Sequence, residues 1–289
     1  MSEEFNAFLF FMRACVQKMD NSLIKLSEIW IYPIKSLPGI ALNSAEIDAC
    51  GFSLDRHWML VDTNGNFLSQ RLLPKMALIN IELSKSGISL TVKNQPLLEI
   101  SIEPVKKKTM VVKIWEDEVI AYHVTAEADE WFSNFLETPV TLVSMPEEQT
   151  RKVDQNYAES TDQTGFSDGF PFLLLGQASL DDLNRRIDNK SEPMNVRRFR
   201  PNLVVTGSDA YAEDTWKKIQ IGEVVFRVVK PCSRCTITTV NPLTASRSVE
   251  PLQTLATYRR EGNKVFFGQN LIHNLTGSLS VGDLVKVII

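Results

Sequence analysis

The sequence predicts a β-rich α+β fold of two units, each carrying a small number of helices. Three observations lead there. From residue 26 onward, short alternating or β-branched apolar runs are separated by turn residues, the pattern of half-buried strands. Three segments instead space their apolar residues as a helix does. Between the two sets of strands lies one stretch, residues 146–165, too polar to bury much surface. A chain of 289 residues, 44% hydrophobic and 23% charged, can fill one large or two modest cores.

In the first unit the expected strands are residues 26–34, 57–62, 77–83, 88–92, 110–115 and 119–124, with Asn64, Gly65 and Asn66 as a hairpin turn. A helix is expected over residues 126–137. Ala128, Trp131, Phe132 and Phe135 share one face, Thr125 can cap the first free N–H groups, and Pro139 ends it. Residues 141–145 add a strand. The stretch 146–165 holds Glu147, Glu148, Gln149, Asp154, Gln155, Asn156 and Asp162, with Val153 its only aliphatic residue larger than alanine, and is expected to be a solvated linker. In the second unit, strands are expected at 171–175, 202–205, 224–229, 236–240, 265–267 and 284–289. Helices are expected at 178–187, with Leu180, Leu183 and Ile187 inward, and at 252–259. The organisation is then a flexible extension (1–24), a first domain (25–145), a polar linker (146–165) and a second domain (166–289).

A formal net charge of −4 lacks the dense basic face that phosphate backbones require, which excludes nucleic acid as a partner. Four unevenly spaced cysteines, Cys15, Cys50, Cys232 and Cys235, fit a reducing compartment, the cytoplasm by default, better than a disulfide-stapled scaffold. The apolar run at residues 5–16 follows Glu3 and Glu4 where a secretory signal carries positive charge. It is also shorter than the roughly 20 residues that span a bilayer. It reads as a loose extension, or as residues upstream of a true start at Met19; a peripheral membrane contact through Phe8, Phe10 and Phe11 is the alternative.

The segment richest in chemistry is KPCSRCTITTVNP, residues 230–242, where Cys232 and Cys235 flank Ser233 and Arg234 at the end of an expected strand. A zinc site needs four ligands, and neither a second cysteine pair nor clustered histidines accompany it. A dithiol redox pair normally opens a helix, whereas residues 236–240 are β-branched throughout and favour a strand. A single soft thiolate ligand for a transition metal, beside the cationic Arg234, is the third reading. Two inert buried cysteines are the fourth. Spacing alone does not choose among them.

That segment resembles the cysteine motif of the molybdenum-cofactor sulfurase C-terminal (MOSC) domain family. The resemblance extends, in order, over residues 25–289. IYPIKSLPG (31–39) and LDRHWMLV (54–61) are similar to the opening motifs of the β-barrel domain that precedes MOSC in the mitochondrial amidoxime-reducing component family. FSDGFPFLLL (166–175), ASLDDLN (178–184), FRPNLV (199–204), DAYAEDTW (209–216) and FFGQ (266–269) follow the same series. It implies an N-terminal β-barrel-like domain and a C-terminal MOSC β-barrel with flanking helices, with a molybdenum-pterin cofactor between them.

The resemblance assigns Cys235 as the metal ligand and catalytic residue, a soft donor suited to molybdenum already held by dithiolene sulfurs. Cys232 reads as a packed neighbour rather than a second ligand. Cofactor binding is assigned to Lys35, Ser36, Arg56, Ser167, Asp168, Arg200, Asn202, Ser233, Arg234, Cys235 and Asn270. Arg56 and Arg200 can fork onto phosphate or pterin acceptors, Lys35 offers a point charge, and Asp168 can accept from pterin N–H groups. Taken singly these residues have duller readings: Lys35 and Ser36 as an exposed strand end, Arg56 and Asp55 as a surface pair, Arg197, Arg198 and Arg200 as a solvated face. Asn270 departs from the aromatic residue of the mitochondrial relatives, and Asn241 from an acidic one, so no proton-transfer role is carried over to Asn241.

The implied activity is two-electron reduction of small N-oxygenated compounds to the amine or amidine and water. Electrons must come from a separate reductase or carrier, because the chain shows neither an iron–sulfur cysteine run nor a dinucleotide fingerprint. A carrier of molybdenum cofactor or of sulfur is the alternative, and a metal-free interaction module a third.

Overall fold

A computed structural model of the chain describes residues 23–103, 108–146, 151–187 and 192–288. The apolar run at residues 5–16, Met19 and the acidic residues Glu147 and Glu148 lie outside the described residues. The fold is β-rich with three α-helices among the described residues, as the sequence predicts.

In the first half, Trp58–Val61 pairs with Thr141–Ser144, which continues to Asp117–His123 and Thr109–Ile114 in a four-stranded antiparallel sheet. All four residues of Trp58–Val61 are buried because both faces of the strand are covered. Trp58 and Leu60 join one core with Trp131 and Phe132, while Met59 and Val61 face another with Val112 and Phe166. The helix Ala126–Leu136 supplies Trp131 and Phe132; Thr125 accepts from Ala128 N at 3.1 Å, the cap expected of it, and Glu137 ends the helix in left-handed conformation. A three-stranded sheet, Asn80–Leu83, Gly87–Thr91 and Leu98–Ser101, closes this core.

The second half is built on a nine-stranded sheet whose middle is the ten-residue pair Val224–Ser233 and Lys264–His273. Phe172–Gly176 runs parallel to Leu203–Thr206, with the helix Gln177–Arg186 in the crossover that a parallel pair requires. The halves interlock. Lys25–Ile31 pairs with Leu203–Thr206, and Ser44–Asp48 pairs with Gly277–Ser280, so the first described strands are built into the sheets of the second half.

Four expectations are corrected. Residues 236–240 form a 3₁₀ turn, Thr236–Thr239, not a strand. Thr238 Oγ1 donates to Cys235 O at 3.0 Å and Thr239 Oγ1 to Thr236 O at 2.7 Å, so the hydroxyls reward the turn that β-branching disfavours. Residues 77–83 begin as the 3₁₀ turn Pro74–Leu78, with proline at its start, and become strand only at Asn80–Leu83. The helix at 252–259 ends at Ala256. The polar stretch 146–165 is partly packed: Arg151–Lys152 pairs with Gln163–Thr164, and Arg151, Val153 and Thr164 are buried. Short strands with few inward residues, among them Ser44–Asp48 and Lys218–Ile221, left no apolar run to detect. No helix among the described residues is long and apolar enough to cross a membrane.

Candidate functional site

The first strand, Lys25–Ile31, feeds a turn that returns its carbonyls to a second segment. Arg56 N donates to Tyr32 O, Trp58 N to Pro33 O, and Lys35 N to Trp58 O, all within 2.8–3.0 Å. This ties Lys35 and Ser36 to Arg56. Both Lys35 and Ser36 are buried, not an exposed strand end. Lys35 Nζ donates to Phe166 O at 2.8 Å and to Asp168 at 2.5 Å, so it anchors the loop carrying Ser167 and Asp168 rather than standing free. Burial pushes its ammonium below the usual amine range, against the pull of Asp168. Ser167 is buried, shares a hydroxyl hydrogen bond with Thr164, and its carbonyl accepts from Arg151 Nη1 at 2.6 Å.

Arg56 and Arg200 lie against the ring of Tyr32, at 4.5 and 4.2 Å from its centroid. A Cβ at position 39 would come within 2.5 Å of that ring, so Gly39 makes room for it. Tyr32 is buried, its hydroxyl donates to Pro201 O, and nothing in its residue type signalled a role. Asp55 is no surface partner. Its side chain is 4% exposed and accepts from Arg56, Tyr32 N and Asn202 Nδ2. Asn202 is buried and also receives Arg56 Nη1 and Leu173 N on its oxygen. Arg200 has no acid partner among the described residues. Burial, then the like charge of Arg56, pushes it down to about 10. Ser36, Arg56 and Arg200 all adopt positive φ, 67°, 50° and 56°, which side chains with a Cβ rarely do. Such backbone persists where its surroundings over-determine it, and it concentrates at functional sites.

The cysteine segment closes the opposite wall. Two register irregularities, between Val228 and Lys230 and between Pro231 and Ser233, bend the end of strand Val224–Ser233. Arg234 Nη2 donates to Phe199 O at 2.5 Å, bracing this turn against the segment that carries Arg200. Its Nη1 lies 3.0 Å from Cys232 Sγ, and its buried Nε has no hydrogen-bond partner among the described residues. Cys232 and Cys235 are free and half-buried. Asn270 Nδ2 reaches Lys230 O at 3.3 Å.

One cavity of about 140 Å³ collects these walls. Lys35, Ser36, Arg56, Ser167, Asp168, Arg200, Asn202, Ser233, Arg234, Cys235 and Asn270 all line it, from segments up to 235 positions apart in sequence. Cys232 lines it too; Gly169, Phe170, Phe172, Leu173, Phe199 and Ile237, which sequence reasoning passed over, complete it. Four cations face the space; Lys35 is paired with Asp168, which also lines it, and Arg56 with Asp55 behind the wall, while Arg200 and Arg234 are left without an acid among the described residues. An anionic group with hydrogen-bonding edges and one position for a soft metal fits this donor set. Among the described residues no cluster of three His, Cys, Asp or Glu could hold a metal alone.

Two family models match the chain: the MOSC N-terminal beta barrel domain over residues 23–139 and the MOSC domain over residues 161–286. The chain is 33% identical over 281 residues to mitochondrial amidoxime-reducing component 1 of Homo sapiens, covering 91% of this chain and 82% of that protein. To mitochondrial amidoxime reducing component 2 of Homo sapiens it is 34% identical, covering 89% and 82%. It is 31% identical to molybdenum cofactor sulfurase of Oryza sativa subsp. japonica over 85% of this chain, but only 32% of that longer protein.

Proposed function

Because the chain belongs to the MOSC family, carries the MOSC N-terminal beta barrel domain ahead of it and is similar along most of its length to amidoxime-reducing components, we propose that it is a molybdenum-cofactor-dependent reductase of small N-oxygenated compounds. Its relatives are amidoxime-reducing components and a molybdenum cofactor sulfurase, so a molybdenum-cofactor-associated role is what the family carries. The finer reading rests on one observation: cations from both halves of the chain and the free thiol of Cys235 face a single cavity.

In this reading Arg56, Arg200 and Arg234 compensate the anionic end of the pterin, with the hydroxyls of Ser36, Ser167 and Ser233 as further donors. Asn202 and Asp55 fix the direction of Arg56; Lys35 holds Asp168 where its outer oxygen can accept from pterin N–H groups. Asn270 contributes its amide from the strand Lys264–His273. Cys235 Sγ is the protein's ligand to the metal. When bound, the molybdenum centre supplies the two-electron change that converts an N–OH compound to the N–H compound and water. The chain's own part is to bind, orient and compensate charge.

Electrons come from a separate electron-transfer protein or reductase. The free thiols Cys50, Cys232 and Cys235 suit a reducing compartment such as the cytoplasm. The test is turnover: the molybdenum-loaded protein, given an artificial one-electron donor, reduces a simple amidoxime to the amidine. A loaded protein without turnover contradicts this. It would leave the carrier reading, cofactor or sulfur, which the second thiol at Cys232 on the same wall favours.

A further inference from the structure

A second, smaller cavity of about 20 Å³ adjoins the first. Arg200 and Ile237 belong to both walls. Arg197, Arg198 and Arg200 converge on it, and no carboxylate lines it. The turn Val196–Arg198 puts two of them there, its start fixed by Asn195, whose side chain accepts from Arg197 N at 2.9 Å. Arg198 is 9% exposed, and among the described residues its side chain makes a single long hydrogen bond, 3.4 Å to Thr238 O. Among the described residues none of the three forms an ion pair, and the Arg197 guanidinium makes no hydrogen bond. Glu192 reaches Arg198 only through its field, and burial still pushes that guanidinium below its ordinary value.

A buried guanidinium without an acid is costly, and here the buried Arg198 shares its void with the half-buried Arg197 and Arg200, of which Arg200 also donates to Leu37 O. Structural arginines normally resolve this with a carboxylate, and none lines this void. Of the remaining wall, Pro38, Ala77, Ile237, Val240 and Pro242 are apolar and Gln70 is the polar exception, its amide already donating to Ser36 O at 2.6 Å; the low polarity strengthens any charge-assisted bond made inside. The volume exceeds the roughly 10–15 Å³ that one water needs but is far too small for a pterin. We propose that this cavity is a second oxyanion site, taking one phosphate, sulfate or carboxylate group between Arg197, Arg198 and Arg200, separate from the large cavity. The assignment does not depend on what the large cavity binds. Because Arg200 serves both, an anion here lowers the positive potential next door and weakens the hold on an anionic ligand there, reciprocally.

Two sources could supply the oxyanion: free solution, or the anionic end of a ligand in the large cavity reaching past Arg200. Calorimetric titration of the full chain with inorganic phosphate at constant ionic strength, with and without cofactor, separates them. The expected result is saturable binding to the cofactor-free protein, weakened about tenfold by Arg197→Gln. Binding that persists in the loaded protein assigns the free anion; binding lost on loading, yet sensitive to Arg197→Gln when free, assigns the cofactor's own end. Arg198→Gln gives the same loss if it folds; Arg197 is half-buried, and its variant keeps the test alive. No saturable binding, or binding that Arg197→Gln leaves intact, overturns the proposal.

Discussion

The side-chain amide of Asn202 donates to Trp30 O and Asp55 and accepts from Arg56 and Leu173 N, all within 3.0–3.2 Å. No other residue type presents two donors and two acceptor lone pairs in that plane except glutamine, which is one carbon too long. Asn202→Ala strands the buried Asp55 and the Leu173 N–H; it should destabilise the fold by about 3 kcal/mol, read from the denaturant midpoint. His57 makes a second prediction. Burial pushes its imidazole down to about 4, and its ring packs edge-on against Trp58 at 4.6 Å. Between pH 6.5 and 4 the unfolded chain therefore binds more protons than the folded one, and stability falls as pH is lowered through that window, by about 3 kcal/mol at most. His57→Gln should flatten the slope; an unchanged slope assigns acid sensitivity elsewhere. At this scale the sequence carried much of the site, because ordered motifs placed Arg56, Arg200 and Cys235 together. It did not carry Tyr32 or Asp55, whose importance lies in stacking and burial that no residue type announces.

Among the elements, the ten-residue strand Lys264–His273 is held in place by a glycine. Gly268 adopts φ +78°, and a Cβ there would meet Leu174 O at 2.7 Å. Gly268→Ala therefore combines left-handed strain with a backbone clash and should cost about 2–3 kcal/mol in thermal unfolding. A neutral result would mean that the strand Phe172–Gly176 can shift to admit a methyl. Helix and strand types were legible where apolar period and caps agreed, as over Ala126–Leu136. They failed at Thr236–Thr239, where β propensity pointed to a strand and threonine hydroxyls, bonding one turn back, favoured a 3₁₀ turn. That error also bore on chemistry: Cys235 stands directly before a short helical turn, the position from which it faces the cavity.

For the whole molecule, a two-unit pattern was legible in the alternation of apolar runs, but the interlock was not. Lys25–Ile31 pairs with Leu203–Thr206 across more than 170 positions, a partnership that local periodicity cannot encode. A fragment of residues 166–289 should accordingly fail to fold cooperatively, since it leaves one side of Leu203–Thr206 and one side of Gly277–Ser280 unpaired. Near-ultraviolet circular dichroism and limited proteolysis would show this; a protease-resistant fragment with native aromatic signals would contradict it. The same interlock makes the cavity, since its cations come from both halves. The most direct test of the central claim is molybdenum X-ray absorption on the loaded protein, comparing wild type, Cys235→Ser and Cys232→Ser. The account predicts a sulfur neighbour lost from molybdenum in Cys235→Ser and none lost in Cys232→Ser. An unchanged sulfur shell in Cys235→Ser, or a loss in Cys232→Ser, would contradict it.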